Sequence, residues 1–146
     1  MELPEIVTIK RIVSENHKVK TFFFDMSETQ RVSEHAQEPL VLDKKIKALP
    51  GQFVMIWLPG IDEKPFALSY DNAVTIECKG KFTEKMCHRK KGDKIGVRGP
   101  YGNGFKIKNN ALVVAGGLGI ASLARLIDKL KNPKIILGAK TKKELL

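Results

Sequence analysis

The chain has 146 residues, 42% of them hydrophobic, and carries 26 lysines and arginines against 16 acidic residues, for a net charge of +10. This length suits one domain, or one domain and part of another. No run approaches the ~18 apolar residues of a membrane span, and the start, MELPEIVTIK, lacks the basic-then-apolar layout of a secretory leader. A cytoplasmic chain is expected, with Cys78 and Cys87 as buried, reduced thiols, since they have no CxxC spacing.

In chain order, Glu5–Val13 and Val19–Phe24 are rich in β-branched and aromatic residues and flank the turn-like SENHK, which predicts an antiparallel pair. Asp25–Lys47 is polar and without periodicity, an excursion with at most a short strand at Leu40–Leu42. Pro50-Gly51 turns the chain into a strand at Gln52–Leu58, and PGIDEKP reads as the next turn. Phe66–Tyr70 and Val74–Lys79 follow as strands around Asp71-Asn72. Thr83 is placed to cap a short helix reaching Arg89, and Lys94–Val97 is a last strand. Six short strands without a long helix predict a closed antiparallel barrel of Greek-key type, because closure removes exposed edges. The barrel would span residues 1–98, with an insertion at about 25–47.

GPYGNGF, at Gly99–Phe105, then marks a change of composition, and residues 99–110 read as a linker. Ala111–Ala115 is continuously apolar, as in a parallel strand buried on both faces. Ile120, Leu123, Ala124, Ile127 and Leu130 share one helix face, Asn132-Pro133 stops the helix, and Ile135–Leu137 is a second apolar strand. Residues 111–146 thus read as one βαβ unit, the start of an α/β nucleotide-binding domain.

Three constellations could carry chemistry. In VVAGGLGIASL, Gly116, Gly117 and Gly119 lead from a strand into a helix whose first N–H groups favour a pyrophosphate. Counted from Gly117, the third position of the full dinucleotide fingerprint falls on Ser122, so a plain tight turn stays open. In KPFALSY, Lys64 suits a phosphate, Phe66 a flat ring system, and Ser69 and Tyr70 hydrogen bonds. Taken alone, those residues are better accounted for by an ordinary half-buried strand with an aromatic in the core. In GKFT, Gly80 and Thr83 with Lys81 form a glycine and a helix start, which is either an anion site or a simple cap. The basic run Lys79–Lys94 holds one aromatic, Phe82, and so lacks the stacking ladder of single-strand nucleic-acid binders. His17, His35 and His88 fall in turn, excursion and helix segments and read as surface residues, so no general acid or base is expected.

The order of these segments resembles the ferredoxin–NADP reductase superfamily. Within it, PGQFVMIWLPG, GKFTEKM and GPYGNGF resemble the electron-transfer subunits of NAD-dependent dihydroorotate dehydrogenases. The resemblance implies a mainly β fold, a flavin-binding barrel followed by a nicotinamide domain, of which this chain would hold only the first βαβ unit. It implies FAD against Lys64, Pro65, Phe66, Ala67, Leu68 and Ser69, with the pyrophosphate at Gly80, Lys81 and Thr83. It implies NAD(P)H at Gly116, Gly117 and Gly119. Lys64 stands where the family has arginine, which keeps the charge without the bidentate fork, and Ala67 stands where it has serine. The family's [2Fe-2S] cluster needs four thiolates, and two cysteines cannot supply them. The implied activity is an oxidoreductase relay from NAD(H) through FAD to a catalytic dehydrogenase subunit in pyrimidine biosynthesis. Other flavin reductases, the diaphorase-type subunits of hydrogenases or transhydrogenases, and a basic barrel that binds without redox activity are the alternatives.

Overall fold

The computed structural model describes residues 3–26 and 46–146. The strand expected at Leu40–Leu42, most of the excursion, and His35 lie outside the described residues.

The elements are β1 (Glu5–Ser14), β2 (Val19–Asp25), β3 (Phe53–Leu58), β4 (Asp62–Tyr70), β5 (Ala73–Glu77), α1 (Lys81–Cys87) and β6 (Lys94–Tyr101). They are followed by β7 (Leu112–Gly116), α2 (Gly119–Ile127), β8 (Lys134–Gly138) and a 3-10 turn at Lys142–Glu144. The first six strands close into a barrel in the order β1-β2-β5-β4-β3-β6, every pair antiparallel. β2 to β3 and β5 to β6 cross between non-neighbours, which makes the barrel a Greek key. Alternate side chains fill it: Val54, Ile56 and Leu58 of β3 are fully buried, as are Phe22 of β2, Leu68 of β4, Ile76 of β5 and Ile95 of β6. Phe82 and Met86 of α1 join the same core.

β4 starts at Asp62 rather than Phe66, so most of the expected turn is strand. Pro65 hid it, because a proline cannot donate to a central ladder. Here β4 pairs with β3 along Asp62–Ala67 but reaches β5 only at Leu68–Tyr70. The N-terminal part of β4 is therefore an edge on the β5 side, where a proline is tolerated. β6 likewise continues past Val97 to Tyr101, through a cis Gly99-Pro100 bond. Phe105 N–H then donates to Pro50 C=O at 2.8 Å and Gln52 Nε2 to Gly102 C=O at 2.8 Å, so the glycine-rich segment folds back on the start of β3.

Helix α1 has Gly80, not Thr83, at its N-cap, and ends at Cys87 rather than Arg89. The Thr83 hydroxyl reaches back instead and accepts the N–H groups of Gly80 (2.9 Å) and Lys79 (3.1 Å). Cys78 and Cys87, expected as reduced thiols, are joined by a disulfide. The exit of β5 and the last turn of α1 bring their Cα atoms to 6.0 Å, within bonding range.

β7 and β8 pair in parallel, in register from Leu112↔Lys134 to Gly116↔Gly138. β7 was expected to be buried on both faces, but it alternates: Val113 and Ala115 are buried while Leu112 and Val114 are 60% and 63% exposed. Helix α2 covers one face only, and it ends at Ile127, before Leu130. Among the described residues no helix is long and apolar enough to cross a membrane.

Candidate functional site

The glycine turn sits at the carboxyl ends of two parallel strands, the place where open α/β sheets take ligands. Gly116 and Gly138 are register partners there, and Gly117 N–H donates to Gly138 C=O at 2.7 Å. Gly117 has φ +51°, which a side chain would strain. Gly116, Gly119 and Gly138 need no such backbone, and a Cβ on any of them would meet nothing within 4 Å. The chain's own packing gives no reason for glycine at these three positions. An outside group approaching the backbone would.

A groove of about 490 Å³ runs from this turn to the barrel wall. Lys18, Glu77, Lys79, Gly116, Gly117 and Lys140 are among the residues that line it. The groove thus joins the glycine turn to Lys79, which stands next to Gly80 but outside the GKFT constellation. Lys18 lies 2.8 Å from Glu144 and 3.5 Å from Glu77, and Lys79 lies 2.9 Å from Glu77. The Lys79 ammonium, and then Lys18, hold the Glu77 carboxyl below the usual carboxylate range. Lys18 in turn lowers Glu144, and its own pKa is raised by the Glu144 hydrogen bond. Three lysines (18, 79, 140) against two glutamates (77, 144) leave one surplus positive charge. A phosphate entering here would compete with those two carboxylates for Lys18 and Lys79.

Gly80 is extended, and a Cβ on it would meet only the Thr83 hydroxyl, at 3.8 Å. The fold therefore leaves space beside it. Lys64 is not in the groove; its ammonium pairs with Asp62 at 2.6 Å on the exposed start of β4 and draws the Asp62 carboxyl downward. Phe66 is half-buried, and one ring face is taken by Phe82 of α1, with centroids 5.8 Å apart. Leu68 is core. Ser69 is buried too: it accepts a hydrogen bond from the Thr75 hydroxyl at 2.9 Å and donates to Ala73 C=O at 3.4 Å. The Thr75 and Thr21 hydroxyl oxygens lie 2.9 Å apart, and Thr21 donates its proton to the Glu15 carboxylate at 2.6 Å. This ladder borders a smaller cavity of about 150 Å³ under Ile120, Ala121 and Ala124 of α2.

The sequence reading missed Lys18, Glu77, Lys79, Lys140 and Gly138. Gly138 carried a signal, a glycine closing the second apolar strand. The charged residues carried none, since β2, β5 and the segment after β8 are brought together only by the fold. Among the described residues no cluster of histidines, cysteines and carboxylates could hold a metal ion, and His17 and His88 are exposed.

The chain shares its fold, a closed antiparallel barrel joined to a parallel βα unit with the glycine turn facing the barrel wall, with solved structures of the ferredoxin–NADP reductase superfamily. Its whole length aligns, at 27% identity and a TM-score of 0.73, with 51% of an NADH-dependent reduced ferredoxin–NADP oxidoreductase studied for flavin-based electron bifurcation. The flavohaem-like FAD/NAD-binding domain of a nitric oxide dioxygenase from Vibrio cholerae shares the fold, with a TM-score of 0.75 at 15% identity over 98% of this chain and 65% of that one. No family model matches the chain. Among curated proteins it is homologous to probable electron-transfer subunits of NAD+-dependent dihydroorotate dehydrogenase B. Identity is 44% with that of Methanocaldococcus jannaschii, over 100% of this chain and 52% of the relative. It is 39% with that of Methanocella arvoryzae, over 97% and 51%. The chain spans about half the length of these relatives.

Proposed function

We propose that this chain is the flavin-binding part of an electron-transfer subunit that passes electrons between NAD(H) and the catalytic subunit of a dihydroorotate dehydrogenase. The observation that carries the reading is the convergence of Lys79, which precedes the N-cap of α1, and Gly116-Gly117 on one groove. The homology to electron-transfer subunits supports it.

The residues fit FAD in their chemistry. Gly80 has space beside it, and Lys81 and Thr83 stand in the first turn of α1, whose N–H groups have no intrahelical acceptor. These would hold a pyrophosphate. Lys64 would add a cation if it exchanged Asp62 for a phosphate. Pro65 and Ala67 lie on the part of β4 left open toward β5, where a flat ring can approach the backbone. Phe66 and Leu68 would back that surface from the core side, and Ser69 would brace it through Thr75. FAD, when bound, supplies the exchange between two-electron and one-electron transfer. The chain's part is to bind, orient and exclude water. Gly116, Gly117 and Gly119 would admit the pyrophosphate of NAD(H). A [2Fe-2S] cluster does not fit this chain, because its two cysteines are bonded to each other. In this reading the FAD barrel runs to Tyr101, the end of β6, rather than to residue 98, the linker is 102–110, and 111–146 is the first part of the nicotinamide domain. The protein works in the cytoplasm, where nicotinamide nucleotides are plentiful.

The test is titration of flavin-free protein. FAD should bind and FMN bind at least about tenfold more weakly, since FMN lacks the pyrophosphate-adenosine half. Lys64→Glu should weaken FAD binding by about tenfold, one phosphate contact's worth. A protein that binds neither flavin refutes the reading.

A further inference from the structure

The Cys78–Cys87 disulfide brackets the segment that the flavin reading uses. Cys78 directly follows β5 and Cys87 is the last residue of α1, nine positions on. Lys79, Gly80, Lys81 and Thr83 all lie inside the closed loop. Both ends of the clasp are also tied to the region of β2: Cys78 N–H donates to Lys18 C=O at 2.8 Å, and Lys20 Nζ donates to Cys87 C=O at 3.0 Å. Within the loop, α1 is rooted in the core by Phe82 and Met86, whereas Lys79, Gly80 and Lys81 are exposed. The exposed half is held by the Thr83 hydroxyl, which accepts the Lys79 and Gly80 N–H groups, and by the Lys79–Glu77 pair, and the bond adds a covalent tie to these where Lys79 enters the groove. The two cysteines are unequal as residues: Cys87 is 8% exposed, while Cys78 is half-buried.

We propose that the Cys78–Cys87 pair is a thiol–disulfide modification site that sets flavin affinity, with dithiol reductants as its chemical partners. A reductant thiolate attacks Cys78 Sγ and forms a mixed disulfide while Cys87 leaves as a thiolate. The reductant's second thiolate then attacks its own sulfur of the mixed disulfide and releases Cys78. Two electrons and two protons pass to the cysteines, and the dithiol leaves as a cyclic disulfide. The bond raises affinity by removing alternative conformations of the 79–83 segment before a ligand arrives. This inference rests on the flavin reading, and two independent readouts separate them.

The experiment uses the 146-residue chain, oxidised, then treated with dithiothreitol. Mass spectrometry without reductant should find the two cysteines linked. Reduction should weaken FAD binding by about fivefold and speed amide hydrogen exchange over 79–83. A thiol oxidant should reverse both changes. The Cys78→Ser/Cys87→Ser double variant should bind like the reduced chain, with or without dithiothreitol. Free thiols that cannot be oxidised to an intramolecular bond overturn the proposal. So do equal affinity and equal exchange in the two forms. Absence of FAD binding in both forms, with exchange still sensitive to reduction, refutes the flavin reading and leaves the clasp standing as a conformational switch.

Discussion

At Gly80 the backbone is extended, a conformation open to any residue, and nothing but the Thr83 hydroxyl stands within 4 Å of where a Cβ would be. Gly80→Ala should therefore leave thermal stability nearly unchanged, within about 1 kcal/mol, since a cap glycine exceeds alanine by no more than that. FAD affinity should fall all the same, because the methyl fills the space beside the first turn of α1. Equal affinity in the variant, by fluorescence titration, would free Gly80 of that role. A second residue-scale expectation concerns Glu63, which takes two hydrogen bonds from Arg98 across the barrel wall. The Arg98 guanidinium holds its carboxyl below the ordinary value of 4.5. A depressed folded pKa gives stability that is present above 4.5 and lost as pH falls through the folded value. Glu63→Gln should flatten that acid limb of the stability curve. Denaturant midpoints measured between pH 6 and pH 3 would check it.

Among the elements, β4 and α1 would position the proposed flavin site, and they are also where reading from sequence was weakest. The alternating patterns of β1, β2, β3 and β5 announce a barrel because their inward residues are apolar. β4 was half hidden, because Pro65 reads as a breaker until it is known that β5 leaves that edge unpaired. Thr83 read as a cap because threonine commonly is one, but it stands one turn further in and takes the Gly80 and Lys79 N–H groups from there. The disulfide had no signature, since a spacing of nine is not a motif and only the geometry of β5 and α1 closes it. The glycine turn was legible, whereas the lysines of the groove come from separate elements and were not. Helix α1 also offers a test of how binding depends on packing. Met86 is fully buried against the barrel core. Met86→Ala should cost about 2–5 kcal/mol of stability, read by urea unfolding. It should also weaken FAD, because the helix that carries Lys81 and Thr83 loses its root.

For the molecule as a whole, the question is what fixes the β7–α2–β8 unit against the barrel. Its sheet gives little help. Leu112, Val114 and Ile136 on one face are 60%, 63% and 55% exposed, although parallel sheets are normally covered on both faces. The other face packs under α2, and α2 meets the outer wall of the barrel around Tyr70 and Thr75. No residue of α2 is fully buried there, so apolar packing alone holds the unit weakly. The polar anchor is Arg125, whose side chain is 13% exposed. Its guanidinium donates to Ala48 C=O at 2.8 Å and to the Asp71 carboxylate at 3.2 Å, thereby gripping the start of β3 and the β4–β5 turn together. Lys18 with Glu144 forms the second tie, at the groove. The part-buried bond to Ala48 C=O, made by a charged donor, is worth about 1.5–3 kcal/mol, and the solvent-screened pair with the exposed Asp71 at most about 1 kcal/mol. Losing Arg125 should therefore shift the unit toward detachment while the barrel keeps its own core. Arg125→Ala should speed protease cleavage within 102–110 several-fold at an unchanged barrel unfolding midpoint. Arg125→Lys should fall between, because one ammonium cannot span both acceptors as the guanidinium fork does. Cleavage at the wild-type rate in both variants would place the grip in the α2 packing instead.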